Sequence, residues 1–525
     1  MGSKMRIVRA VFRGIFNILC LLMISILFFL GTYSRNLHGL WLIIPVSLWI
    51  AACKRKTAGY LALAFLICIG IVVIWLFLPD KDNWRPYNFD YELKDFRANR
   101  AVPDNQNAAF IYQRITAKLN DSNAPSFFNE GNASSTCVQW KGIEHPETAA
   151  FIDARREIVS EAMTASNLDK CVFPLWTNPL DMPTKMVDRM RHIAYLLVSS
   201  ANRDMGECRI DEAFKKYECL VRMGRHLQSQ PSFMELMMGD DIENMAYAQL
   251  ASVIIDTNLS RTQRDSIRRI IPAPIDDWPL LYPPIFEIEK LLNKNMVAMM
   301  FYETDDKGIV RFRQGNGIFP NNASNIQQPH SALQIRMQKL ASIGLWFIAP
   351  RDPKVISSIF DEEFQRALLF ADANNLETTL PLNTSFYLAW LRDPHRTTAQ
   401  LMVQMSFPVH EKIHASRLQI IARRRGTAIL FALRNYKDAG GRWPGVLDEI
   451  KTALPAEAWI DPFTQLPFIY KVKDCNFLLY SVGRNKIDEK GKPKPSCRDG
   501  SCEIDHSGSD DILIWPLTWK DAQTF

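Results

Sequence analysis

The sequence predicts a membrane-anchored protein whose ectodomain is mainly α, an antiparallel helical stack, followed by a small α+β module. Three observations carry this. Apolar runs at about 15–30, 40–53 and 60–78 open the chain. From about 106 to 407 apolar residues recur at helical spacing. Past 408 one long helical stripe gives way to turn residues and short β-rich runs. The parts read as an anchor (1–79), a linker (80–105), a helical domain (106–407) and the α+β module (408–525).

The anchor comes first. A span needs roughly 20 apolar residues, so the first and third runs suffice and the second is short. It either spans with Lys54, Arg55 and Lys56 snorkelling at its end or lies in the interface. Lys4, Arg6, Arg9 and Arg13 precede the first run, whereas the next loop offers only Arg35 and His38. The positive-inside rule then places the N-terminus in the cytoplasm. Three spans put everything after Leu78 outside the cytoplasm, and two would reverse that. No small-x-small cleavage site follows the first run, so it is not read as a cleaved leader. The lipid bilayer is thus an expected partner. Nucleic acid is not: the net charge of +6 is spread over 525 residues, without a basic run interleaved with aromatics.

The 80–105 stretch is polar, aromatic and Pro/Asp-containing, which suggests a linker. Beyond it, Met190, Ile193, Ala194 and Leu197 share one helix face. So do Phe214, Tyr217 and Val221, and Ile242, Ala246, Leu250 and Val253. Turn signals at Asn202-Arg203-Asp204, Gln230-Pro231-Ser232 and Pro272-Ala273-Pro274 separate these helices. Met234, Met237, Met238, Met245 and Met296 sit at helical spacing and read as core. The stretch from Gly315 to Gln328 reads as a hinge loop between two helical halves.

Of ten cysteines, Cys20, Cys53 and Cys68 lie in the apolar runs. An odd number remains beyond them, so at least one stays free or pairs between chains. Cys497 and Cys502 flank a turn-rich tetrapeptide and are the candidate disulfide; the other reading is free thiols.

In the C-terminal module, Leu418, Ile421, Ala422, Ile429 and Leu433 form the helix stripe, which ends near Asp438 before Gly440-Gly441. Trp443-Pro444 gives an extended exit. The runs 468–472, 477–482 and 512–515 read as three strands, with an acidic loop before the last. This order resembles the soluble domain of the major pseudopilin of type II secretion systems. The resemblance covers about a fifth of the chain and implies an α+β fold, a bacterial inner-membrane, extracytoplasmic setting, and secretion or envelope proteins as partners. It further implies calcium in the acidic loop, carried by Asp488, Asp510 and Asp511. The loop departs from the family pattern in its length and in carrying Lys486, Lys490, Lys492 and Lys494. The other reading is a solvated acidic loop closed by Cys497 and Cys502. The first apolar run also lacks the family's processing site, which argues against filament assembly. The whole layout is similar to large envelope proteins of planctomycete-type bacteria.

His410-Glu411-Lys412-Ile413-His414 fits H-E-x-x-H. On a helix, His410 and His414 share a face and would bind zinc while Glu411 activates water. Lys412 and Pro408 depart from that pattern; the plain reading is a polar first helical turn. There is no Walker A loop, no G-x-S-x-G elbow and no dinucleotide fingerprint. The reading is a non-enzymatic, membrane-anchored interaction scaffold, with a membrane-tethered zinc metallopeptidase as the alternative.

Overall fold

The computed structural model describes residues 84–93, 100–119, 124–129, 134–175, 184–271, 278–312, 349–372, 392–404, 408–473, 476–492 and 510–517. The expected anchor, the hinge loop and the Cys497–Cys502 pair lie outside them. The described residues are mainly helical, with two small antiparallel sheets. No helix among them is long and apolar enough to cross a membrane.

The first core is built by α1 (Ala108–Lys118), α2 (Pro146–Asp153), α3 (Arg156–Ser166), α4 (Thr184–Gly206), α5 (Ile210–Gln228), α6 (Phe233–Asp256) and α7 (Arg261–Ile270). The stripes read from sequence are the buried ones: Met190, Ile193, Phe214, Tyr217, Ile242, Ala246 and Leu250 are all at most 3% exposed. Serine starts two of these helices. Ser232 accepts the Glu235 amide, and Ser260 forms a reciprocal capping box with Gln263. The methionines divide: Met238 is buried, whereas Met237 is 40% exposed.

One turn expectation fails. α4 runs through Asn202-Arg203-Asp204 to Gly206. Asn202 is buried because its amide donates to the Ser135 carbonyl at 3.0 Å and accepts the Tyr217 hydroxyl at 2.8 Å. A polar triplet reads as a turn only while its partners are unseen.

The second core gathers α8 (Trp278–Phe301), α9 (Pro353–Asp372), α10 (Pro394–Gln404) and a sheet of β1 (Arg85–Pro86), β2 (Tyr302–Thr304) and β3 (Val310–Phe312). This sheet corrects the linker reading of 80–105. Arg85 and Pro86 pair antiparallel with Thr304 and Glu303. Phe89 is fully buried, and its amide donates to the Asn295 side chain at 2.7 Å. Lys294 of α8, 2% exposed, bridges Glu92 at 3.3 Å and Asp361 at 2.9 Å. Strands of two or three residues are too short to show a period of two, so composition alone misleads here.

Helix α11 (Pro408–Gly440) starts the C-terminal module. Gly441, at φ +72°, follows it and donates its amide to the Lys437 carbonyl at 2.7 Å. The 3-10 segments Leu447–Ala453 and Ala456–Trp459 lead to β4 (Ile469–Lys473), β5 (Asn476–Ser481) and β6 (Ile512–Trp515). These strands form one sheet in the order β4-β5-β6. Gly426 is where β6 meets the helix: a Cβ there would lie 2.6 Å from the Ile514 side chain.

Residue 408 is no boundary in the packing. One apolar core runs from Ala108 through α4, α5 and α6 to Ile429 of α11 and Trp515 of β6. The run Arg423-Arg424-Arg425 ties α11 to its own module and, through Arg424, to α6. Arg423 donates to the Leu513 carbonyl of β6, and Arg425 to the Ile460 carbonyl at 2.8 Å. Arg424 forks onto Glu243 of α6 at 2.9 and 2.7 Å. Two turns earlier, fully buried Arg417 meets Asp240 at 2.9 Å.

Candidate functional site

The site the sequence singles out lies in the loop after β5. Gly483 sits at φ +67°, and a Cβ there would lie 2.1 Å from the Asp510 carbonyl oxygen, so only glycine admits the crossing. The Asp510 carboxylate accepts the amides of Arg484 and Asn485, both at 3.1 Å. Its work is to clamp the loop to the approach of β6.

Asp488 accepts the Tyr480 hydroxyl at 2.6 Å and the Lys490 amide at 2.8 Å. Burial opposes its charge, but the Tyr480 and Lys490 bonds prevail and hold the carboxyl below its ordinary range. Lys471 of β4 donates to the Tyr480 hydroxyl at 3.2 Å, so a cation backs this chain.

Asp511 is different. It is 2% exposed. Its Oδ2 accepts the Gly491 amide at 2.7 Å, while its Oδ1 is buried without a donor. Oε2 of Glu489 is also buried without a donor, and the Glu489 carboxyl stands against Asp511. Burial first, and then Glu489, pushes the Asp511 carboxyl up to about 7. Charge on Asp511 is thus opposed both by burial and by the carboxyl that stands against it.

The trio expected for calcium is therefore not assembled as a trio. Asp511 is an acceptor with an unmet oxygen, Asp488 is half engaged, and Asp510 is taken up by amides. Among the described residues, no group of three or more His, Cys, Asp or Glu side chains is disposed to hold a metal ion. The oxygens of Asp511 and Glu489 do suit calcium, which wants six to eight oxygen ligands, roughly, and takes backbone carbonyls and water readily. Glu489 escaped the sequence reading because it neighbours Lys490 in a mixed-charge loop. Its one signal was adjacency to Asp488.

The histidine motif lies on α11, whose helical backbone includes His410, Glu411 and His414; their side chains lie outside the described residues. Cys137, Cys171, Cys208 and Cys219 are free thiols. Burial pushes the Cys219 thiol up to about 12, and Cys171 is raised by the same cause, so neither is a ready nucleophile.

No family model, curated protein or solved structure matches this chain. The functional reading rests on its own residues.

Proposed function

We propose that this protein is a membrane-anchored extracytoplasmic scaffold that holds partners in a secretion or envelope assembly. The observation that carries the reading is the seating of α11. In a filament subunit the long helix must be free to pack against other subunits. Here α11 buries Ile420, Ile429 and Leu433 within its own chain, and Arg417 and Arg424 pair with Asp240 and Glu243 of α6. A pseudopilin-like unit locked this way serves as part of a rigid body, which suits a scaffold. The apolar runs before residue 79 supply the anchor in this reading, and the acidic loop takes calcium as a structural ion.

The topology has a direct test. Alkaline phosphatase fused after Asn105 should be active, and a cytoplasmic reporter at the same site silent. The reverse pattern would place the body in the cytoplasm and sink the reading.

One observation keeps the zinc metallopeptidase as a second reading: His410 and His414 stand four residues apart on a single α-helix. Metal analysis of the full-length protein separates the two. Stoichiometric zinc, lost when both histidines become alanine, would replace the scaffold with the peptidase.

A further inference from the structure

A cavity beside α11 stands outside the proposed function. It lies between α7, α11 and the 3-10 segment Leu447–Ala453, and measures about 680 Å3. Ligand sites usually span roughly 300–1,000 Å3. Its floor is carbon. Ala428 and Ala432 stand one turn apart on α11, and their short side chains leave the space open. Phe431 and Ile450 line it further and are at most 7% exposed.

The polar groups at its margin are unequal. Glu449 is fully engaged: it takes the Tyr436 hydroxyl at 2.5 Å, Arg442 at 2.9 Å and the Gly445 amide at 2.5 Å. Tyr436 first, and then Gly445 and Arg442, hold its carboxyl down at about 2. Arg268 is the accessible cation. Its guanidinium stands 5.9 Å from the Phe431 ring. It reaches Asp265 at 3.6 Å, in a pair whose side chains are 70% and 58% exposed. Such a pair contributes little and leaves most of five N–H donors open. The Asn435 amide, also on the lining, has no hydrogen-bond partner among the described residues.

We infer that this cavity binds a single-chain carboxylate amphiphile, its hydrocarbon on the alanine floor and its head on Arg268 and Asn435. Charge selects an anion, because the one carboxylate on the lining is already neutralised within the fold. Hydrogen bonding selects a lipid-like chain over a peptide. A peptide brings an N–H and a C=O with every residue, and a carbon lining would leave most of them unmet at a steep cost. A fatty-acid chain has one polar end, matched by the two open groups. The inference is independent of the scaffold reading.

The test titrates the full-length protein, held in amphipol, with dodecanoate, dodecylammonium and an acidic apolar octapeptide, by calorimetry. Dodecanoate should saturate one site, ahead of the other two. Arg268 is exposed, so Arg268→Glu should leave the melting temperature unchanged. It should weaken dodecanoate about tenfold or more and strengthen dodecylammonium. Ala432→Phe should abolish binding by filling the floor. If that variant misfolds, the Arg268→Glu charge swap still decides. Equal dodecanoate affinity in Arg268→Glu and the native protein, absence of saturable binding, or preference for the peptide would each overturn the inference.

Discussion

On α6, Glu243 is fully buried, yet its oxygens meet the Arg424 fork, the Gln228 amide at 2.5 Å and the Tyr247 hydroxyl at 2.6 Å. In the β5–β6 loop, Asp511 is nearly as buried, but one of its oxygens meets only another carboxyl. Burial acts against ionisation in both places. Arg424 overcomes it at Glu243, whose carboxyl stays below its ordinary range. At Asp511 nothing does, and the carboxyl rises. At Glu243 the Arg424 fork completes the charge network, whereas at Asp511 one oxygen is left without a donor.

The Glu243–Arg424 network should give the largest effect. Glu243→Ala would leave Arg424 buried and uncompensated, at a cost of about 3–5 kcal/mol in denaturant unfolding. Replacing Glu243 and Arg424 together with methionine should cost far less, since no orphaned charge remains. If the single change cost under about 1 kcal/mol, water would have to reach the pair, and the union of α6 with α11 would be looser than described.

The loop should give the next effect, and it depends on calcium. Under the proposed calcium reading, ion at 100 times its dissociation constant should add about 2.7 kcal/mol to the full-length protein. Asp511→Asn should remove that gain while leaving the calcium-free protein as stable or more so, because it relieves the carboxyl pair. Asp510→Ala should instead cost stability with or without calcium by freeing the amides of Arg484 and Asn485. If Asp510→Ala removed the calcium gain and Asp511→Asn did not, the ligand roles would be the reverse of those argued from the orphaned oxygens.

The same contrast explains what the sequence made legible. Helix faces such as Met190-Ile193-Leu197 are periodic, and α4, α5 and α6 fold on them. The three late strands were visible because each is a compact β-rich run with turn residues beside it. The first sheet was not, because Arg85-Pro86 acquires its meaning only from Thr304, more than two hundred residues away. Arg423, Arg424 and Arg425 are adjacent in sequence, yet each serves a different element. Glu489 was invisible as a site residue because its approach to Asp511, which makes it matter, is not local in sequence.

A subtler pair of carboxyls joins the two cores and sharpens the comparison through pH. At the start of α6, Glu235 accepts the Ser232 hydroxyl at 2.8 Å, and Glu289 of α8 accepts the Phe233 amide at 2.8 Å. Burial pushes both carboxyls up to about 7 from an ordinary 4.5. The folded chain thus holds protons that the unfolded chain has released. The contribution to stability is full below 4.5 and is lost as pH rises through about 7. Glu207, held down at about 2 chiefly by the Gly142 amide and Arg209 against burial, acts oppositely and only on the acid side of 4.5. Urea midpoints at about pH 5 and pH 8 should therefore fall with rising pH. Glu289→Gln keeps an acceptor for Phe233 and removes one titration, the one that burial and Glu235 raise. Its loss between the two pH values should be smaller than the native one by roughly 1–2 kcal/mol. Asp511 titrates in the same window in both proteins, so it cancels in the difference. An equal loss in the two would mean that Glu289 is already ionised in the fold, with the Phe233 amide as compensation enough, and the cores would be joined by a charged cap.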